Sequence, residues 1–246
     1  MKLDYVILSS NDNPDYLNFW PIVSEAWKLM GVEPILIYTG KEDINYKGNI
    51  VRFDSHNLDS AFVAQNIRIL YPALLKDKNC IVSDIDNLPL SKKYFCNSIE
   101  SIPDNSFVIY RPDACPPNMI SMMWNASNSV TWNEIFKINS ENDIYKKLKR
   151  WYSSKYSIRG KAWYTDQIKL RKYVNKFSRK NNHRLILLND KETEFNRFNR
   201  TELDLHYELM KSNNDIVFTD FHMPRPYDEH YKIINEVFEL NKKNLV

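Results

Sequence analysis

A short apolar run, Cys80-Ile81-Val82, leads into Ser83-Asp84-Ile85-Asp86, two carboxylates separated by one residue. If that run is an interior strand, its side chains alternate between faces, so Asp84 and Asp86 point the same way at the strand's carboxyl end. Two hard oxygen donors in that position could hold a divalent cation, Mn²⁺ or Mg²⁺, against a diphosphate. Surface turns carry acidic pairs as well, so the elements around the pair must decide between a ligand set and a turn.

Those elements alternate. Residues 5–9 read as a buried strand, a polar turn follows at residues 10–14, and a helical pattern carries Phe19, Val23, Ala26, Trp27 and Met30 up to Gly31. Residues 33–38 form a second strand and residues 50–53 a third, and residues 59–75 read as a helix with Phe62, Ile67, Leu70 and Leu74 inward. The strand ending at the acidic pair comes next, which is the layout of parallel βαβ units. In such sheets ligands bind beyond the carboxyl ends of the strands, where Ser9, Ser10 and Asn11 would join Asp84 and Asp86. After Asp86 the regularity weakens. Residues 107–110 and 119–124 look like strands separated by Pro112, Pro116 and Pro117, which suits a mixed sheet. Helices are expected from about Ser127, Glu141 and Trp163, strands at residues 184–188 and 215–219, and a closing helix over 227–243 with Tyr231, Ile234, Val237, Phe238 and Leu240 on one side.

The 246 residues, 43% hydrophobic and 26% charged, suffice for one substantial core, and one domain over residues 1–246 is expected. No apolar run approaches the roughly 18 residues of a membrane span, and the amino terminus lacks a signal-peptide layout, so a soluble, cytoplasmic protein is expected, with association at a membrane surface as a variant of it. Cys80, Cys96 and Cys115 are odd in number and unpaired in spacing, which argues for reduced thiols. The net charge of +3 is mild. Basic residues gather at 146–150 and 169–184, on stretches that read as solvated helix faces, and no nucleic-acid partner is expected.

The order of motifs resembles the GT-A glycosyltransferases, metal-dependent nucleotide-sugar transferases, and within them the retaining galactosyltransferase and glycogenin-like group. The resemblance rests on Ser9-Ser10-Asn11 at a strand end, Arg68 in a helix, Asp84-Ile85-Asp86, Asn125-Ala126 after a strand, the pair Asp166-Gln167, and a late His222, all in that order. It implies an α/β fold, a Rossmann-like mixed sheet flanked by helices, with a nucleotide-binding half over about residues 1–90 and an acceptor-binding half over about 91–246. It implies transfer of a sugar from a nucleotide-diphosphate donor, a UDP-sugar, to a hydroxyl of a glycan, glycoprotein or lipid-linked acceptor.

The resemblance further implies metal ligation by Asp84, Asp86 and His222, with Mn²⁺ or Mg²⁺ as cofactor. Donor binding would fall to Ser9, Ser10, Asn11, Arg68, Asp84, Asn125 and Arg225, and catalysis to Asp166 and Gln167. The chemistry of each residue is consistent with this. An imidazole with two carboxylates suits Mn²⁺, which accepts nitrogen as well as oxygen. Arg225, between Pro224 and Pro226, could fork onto a phosphate, although the resembled group often places a lysine near here. Arg68, set among apolar helix residues, needs either a structural partner or the donor, and could hold one of the acidic pair. Asp166 and Gln167 would open a helix capped by Tyr164 or Thr165, at an exposed end near the cleft. Gln167 or Asp166 on the reactive face of the sugar would serve retention, which the resemblance favours, while Asp166 as a base would serve inversion. Of Trp124, Trp132, Trp151 and Trp163, one or two are expected in the cleft. Ser127 stands where the group usually has glycine.

Two rival readings stay open on the sequence. A haloacid-dehalogenase-type phosphatase also ends a strand in D-x-D, but does so on its first strand and follows the motif with glycine and threonine rather than Asn87-Leu88-Pro89. A catalytically silent carbohydrate-binding protein could share the transferase fold. A nucleotidylyltransferase would need a glycine-rich phosphate loop, which a chain with 4 glycines does not supply.

Overall fold

The structure, a computed structural model, describes residues 1–212 and 216–246. Aliphatic runs that are buried on both faces become parallel interior strands. Strand β1 (Tyr5–Ser10) is buried from Val6 onward, and after the short helix α1 (Pro14–Leu17) and helix α2 (Trp20–Leu29) the chain returns as β2 (Glu33–Tyr38). Gly31 makes this return possible. Its φ of +82° is one that a side chain disfavours, and there its N–H donates to the Lys28 carbonyl at 2.9 Å while Val32 N–H donates to Trp27 at 3.1 Å, closing α2.

Strand β3 (Asn49–Arg52) pairs parallel with β2, and helix α3 (Ser60–Ile67), capped by the Asp59 carboxylate, leads to β4 (Asn79–Val82), parallel to β1. The remaining elements are β5 (Asn87–Pro89), α4 (Lys92–Phe95), β6 (Phe107–Tyr110), β7 (Asn125–Asn128), α5 (Ser129–Phe136), α6 (Glu141–Trp151), α7 (Thr165–Asn181), β8 (Leu185–Leu188), β9 (Arg197–Asn199), α8 (Leu203–Ser212), β10 (Asp220–His222) and α9 (Tyr227–Asn241). The main sheet runs β3-β2-β1-β4-β7-β6-β8, with β7 antiparallel to both neighbours, so it is the mixed sheet expected. A second sheet, β5-β10-β9, pairs the segment just after the acidic residues with the one that carries His222.

Strand alternation divides the core in two. Val6, Leu8, Ile81, Val108 and Tyr110 face one layer with α2, the small sheet and α9, while Ile7, Cys80, Val82, Phe107 and Ile109 face the other with α3, α5, α6 and α7. Helices therefore cover both faces and leave the carboxyl ends of β1 and β4 open.

Four boundaries differ from the sequence reading. The helix expected over 59–75 ends at Ile67, because Pro72 has no N–H to give to the Arg68 carbonyl and its ring crowds it, and the chain tightens into a 3₁₀ turn at Tyr71–Leu74 with Pro72 in its first turn. Residues 119–124 are irregular rather than a strand. Ser121 supplies local partners to Met123 N–H (3.2 Å) and the Asn125 amide (2.8 Å), and Trp124 adopts φ +56°, so the ladder begins only at Asn125. Of the strand expected at 215–219, Asp215 lies outside the described residues, and the strand itself falls at Asp220–His222. On α9 the buried stripe is Ile234, Val237, Phe238 and Asn241, whereas Tyr231 and Leu240 flank it and are exposed. Strands β5 and β9 and helix α8 had no counterpart in the sequence reading.

Candidate active site

Beyond the carboxyl ends of β1 and β4 lies a cavity of about 890 Å³. Ser9, Ser10, Asn11, Arg68, Asp84, Asp86, Asp166, Gln167, His222 and Arg225 all line it. These residues come from five separate stretches of chain. Asn125 is the one expected site residue that does not line it. It is fully buried at the start of β7, its amide donating to the Ser121 carbonyl at 2.8 Å and its Oδ1 without a partner among the described residues.

The acidic pair is not on the strand. Strand β4 stops at Val82, and residues 83–86 turn, with Asn87 N–H donating to the Asp84 carbonyl at 3.3 Å. Face alternation therefore does not set the direction of the two carboxylates, and they take different partners. Asp84 is paired with Arg68, whose other terminal nitrogen donates to Asp166 at 3.1 Å. Asp86 faces Arg200 at 3.3 Å, His222 Nε2 at 3.6 Å and Arg225 Nε at 3.9 Å. The result is two charge clusters side by side, one centred on an arginine and one on a carboxylate.

The electrostatics of the clusters differ accordingly. Burial alone would raise the Asp86 carboxyl, but His222, Arg225 and Arg200 outweigh it and hold the group down at about 2. For Asp166 burial prevails and pushes it up to about 6 against the pull of Arg68. Arg68, although buried, is held more firmly protonated by Asp84 and Asp166. One cation thus serves two carboxylates, and the deeper one, 2% exposed, is incompletely compensated. This corrects the expectation that Asp166 sits at an exposed helix end. Helix α7 does begin there, with Tyr164 in the cap position but without a side-chain bond, and Thr165 Oγ1 donates instead to the Ala162 carbonyl at 2.6 Å.

A stability prediction follows from the raised Asp166. Its folded value near 6 exceeds the ordinary 3.8, so the folded state holds a proton there that the unfolded chain releases between about pH 4 and 6. Its contribution is most favourable at low pH and is lost as pH rises through 6, a difference of about 3 kcal/mol. Asp166→Asn is expected to remove this slope and to be no less stable than the parent at pH 8. Urea denaturation at pH 4, 6 and 8 tests this, and an unchanged slope in the variant would assign it to another group.

The polar end of β1 is locally engaged. Ser9 Oγ donates to the Ala64 carbonyl of α3 at 2.5 Å, Ser10 Oγ to the Asn11 carbonyl at 3.1 Å, and the Asn11 amide to Ser60 Oγ at 3.1 Å. Gln167 accepts from Cys115 Sγ at 3.2 Å. Arg225 lies over the Tyr16 ring at 4.7 Å and donates to its hydroxyl. Of the four tryptophans considered, Trp163 alone lines the cavity, while Trp124, Trp132 and Trp151 are core.

Sequence reasoning missed Arg200, which also donates to the Met223 carbonyl at 3.2 Å, and Arg197, paired with the fully buried Asp220 at 2.6 Å. No spacing in the sequence singled them out, because residues 189–214 carried too little periodicity to be placed.

No family model matches the chain, and no curated protein matches it by sequence. Solved structures do. One is a glycosyltransferase involved in the glycosylation of the major capsid of PBCV-1, at 11% identity and a TM-score of 0.51, covering 94% of this chain and 99% of that one. Another is the galactosyltransferase LgtC in complex with donor and acceptor sugar analogs, at 13% identity and a TM-score of 0.50, covering 97% and 95%. The chain has the α/β fold of the GT-A glycosyltransferases.

The donor set can be tested against a divalent cation. Among the described residues no three His, Cys, Asp or Glu side chains form a metal-binding cluster. Asp86 and His222 are nevertheless adjacent in the cavity, while Asp84 is drawn aside by Arg68. A hard cation that keeps waters and substrate phosphates in its shell needs only one or two protein ligands, and an ionised carboxylate beside an imidazole meets that need.

Proposed function

We propose that the protein is a glycosyltransferase that moves a sugar from a nucleotide-diphosphate donor, a UDP-sugar, to a hydroxyl acceptor with retention of configuration. The observation that carries this reading is the convergence of Asp86, His222, Arg200 and Arg225 at one end of the cavity and of Arg68, Asp84, Asp166 and Gln167 beside it, on a GT-A fold. When the C1–oxygen bond of the donor breaks, negative charge grows on the leaving diphosphate, and catalysis requires that charge to be met.

Arg200 and Arg225 supply fixed positive charge there, and Asp86 orients both guanidinium groups. Asp86 and His222, with Asp84 once it leaves Arg68, would hold Mn²⁺ or Mg²⁺, which as a Lewis acid would stabilise the same diphosphate. Ser9, Ser10 and Asn11 lie where a nucleoside would enter, beyond β1. Gln167 offers an amide toward the sugar, and Asp166 fixes Arg68 from behind. The acceptor oxygen bonds to C1 as the C1–oxygen bond to the diphosphate breaks, and its proton passes to the leaving diphosphate oxygen. A phosphatase of the haloacid-dehalogenase type is disfavoured, since it carries its acidic pair after the first strand, whereas here the pair follows β4.

Calorimetric titration with nucleoside diphosphates and nucleotide sugars, with and without Mn²⁺, tests the reading. Binding of UDP that tightens at least about ten-fold with Mn²⁺ is expected, a change of about 1.4 kcal/mol. No binding of any nucleoside diphosphate would remove the donor site.

A further inference from the structure

The charge of this chain is strongly segregated. Residues 146–180 contain thirteen Lys and Arg against one acidic residue, Asp166, which is buried in the cleft, whereas the rest of the chain carries twenty-one basic residues against thirty acidic ones. A net +3 therefore conceals a segment at +12 and a remainder at −9. The segment comprises the second half of α6, the loop that follows and α7 up to Lys180, and the first turn of α6 before it carries two acidic residues, Glu141 and Asp143. The two helices lie side by side, Trp151 against Tyr173 at 5.7 Å, with Lys147 over the Tyr173 ring and Lys169 near the Trp151 ring. On α7, Lys172, Lys176 and Arg179 are exposed at helical spacing, and on α6 so are Lys146, Lys149 and Arg150.

Three large apolar side chains stand exposed within the same segment: Ile158 at 58%, Tyr164 at 50% and Ile168 at 44%. Ile158 and Tyr164 also line the cavity, and Ile168 follows one turn of helix after Tyr164. Single exposed apolar residues are ordinary on any surface. Three within eleven residues, in a field of uncompensated positive charge, are the footprint of an interfacial surface, where apolar tips enter the boundary beneath the headgroups and Lys and Arg meet anionic lipid. A soluble polyanion such as a nucleic acid or an acidic glycan would satisfy the charges and leave Ile158 and Ile168 without a role.

We propose that residues 146–180 dock this protein on an anionic lipid surface, with Ile158, Tyr164 and Ile168 entering the interface, so that the cleft meets acceptors carried by lipids. The statement about the acceptor rests on the transferase reading given above, while the docking itself does not.

Co-sedimentation with vesicles tests it. Phosphatidylcholine vesicles alone and the same vesicles with about one third phosphatidylglycerol would be compared at about 0.1 M and 0.5 M salt. Binding is expected to the anionic vesicles only and to weaken with salt. Lys172→Glu, Lys176→Glu and Arg179→Glu together should lower partitioning by at least about 100-fold, at roughly five-fold or more per charge removed. Ile168→Asp, which leaves the basic residues intact, should lower it at least about five-fold. Thermal melts show that each variant is folded.

Absence of binding to the anionic vesicles at low salt would overturn the proposal. So would binding that is unaffected by Ile168→Asp and competed by a soluble polyanion such as a heparin fragment, since this would define a polyanion site instead. Titration of the same samples with UDP separates the two readings. Intact vesicle binding without UDP binding would leave the lipid-docking face standing and remove the transferase, whereas UDP binding without vesicle binding would do the reverse.

Discussion

Asp86→Asn is expected to lower sugar transfer by about 100-fold to 1000-fold, the range seen when one charge-stabilising group is removed from a reaction centre. The substitution keeps the side chain's size and removes its charge. Arg200 and Arg225 then lose the anion that aims them, and His222 loses its neighbour at 3.6 Å. The fall should appear in kcat more than in KM, because the diphosphate carries its extra charge only as the bond breaks. A change confined to KM would make Asp86 a donor-binding group, and full turnover would place it outside the chemistry. Stability should report the same residue. With a folded value near 2 against an ordinary 3.8, Asp86 stabilises the fold above about pH 4, by about 2 kcal/mol, and this is lost as pH falls toward 2. The variant should lack that acid limb in urea titrations.

The second large effect is on folding. Arg68→Met leaves the carboxylates of Asp84 and Asp166 without their shared cation, one of them almost fully buried. Removing one partner of a buried ion pair costs about 3 to 5 kcal/mol. Asp166 is already pushed up to about 6, so in the variant it will rise further and take up a proton on folding. The loss should therefore be smaller at pH 5 than at pH 8. Adding Asp166→Leu should recover much of it, because the cost lies in the stranded charge rather than in the missing arginine. Equal urea midpoints for Arg68→Met and the parent at both pH values would contradict this account.

The parallel half of the fold was legible because its signals are local. Glu33–Tyr38 and Phe107–Tyr110 are uninterrupted apolar runs, and their ends matched the expectation to the residue. Residues 119–124 have similar composition, yet Ser121 draws nearby donors to itself, a competition that periodicity does not register. The short strands β5 and β9, three residues each, are held by their partner β10 rather than by their own propensity.

At the site, residue types were legible and partnerships were not. That Arg68 needed an anion followed from burial alone. That it serves Asp84 and Asp166 together depends on how the end of α3 meets the start of α7, which no spacing along the chain encodes. Asn125 shows the converse. A residue type suited to sugar hydroxyls was placed by β7 in the interior, where its amide answers a main-chain carbonyl.

The pairing of Asn87–Pro89 with Asp220–His222 links two stretches more than a hundred residues apart immediately beside the donor end of the cleft. The Met223 amide donates to the Asp86 carbonyl at 3.0 Å, and the Leu90 amide to Thr219 at 2.9 Å. These amides should therefore open and close together in hydrogen–deuterium exchange, as one cooperative unit. A ligand that occupies the donor end would slow exchange at both stretches by a common factor. Exchange at residues 87–90 and 220–223 would then report donor occupancy with no sugar transferred.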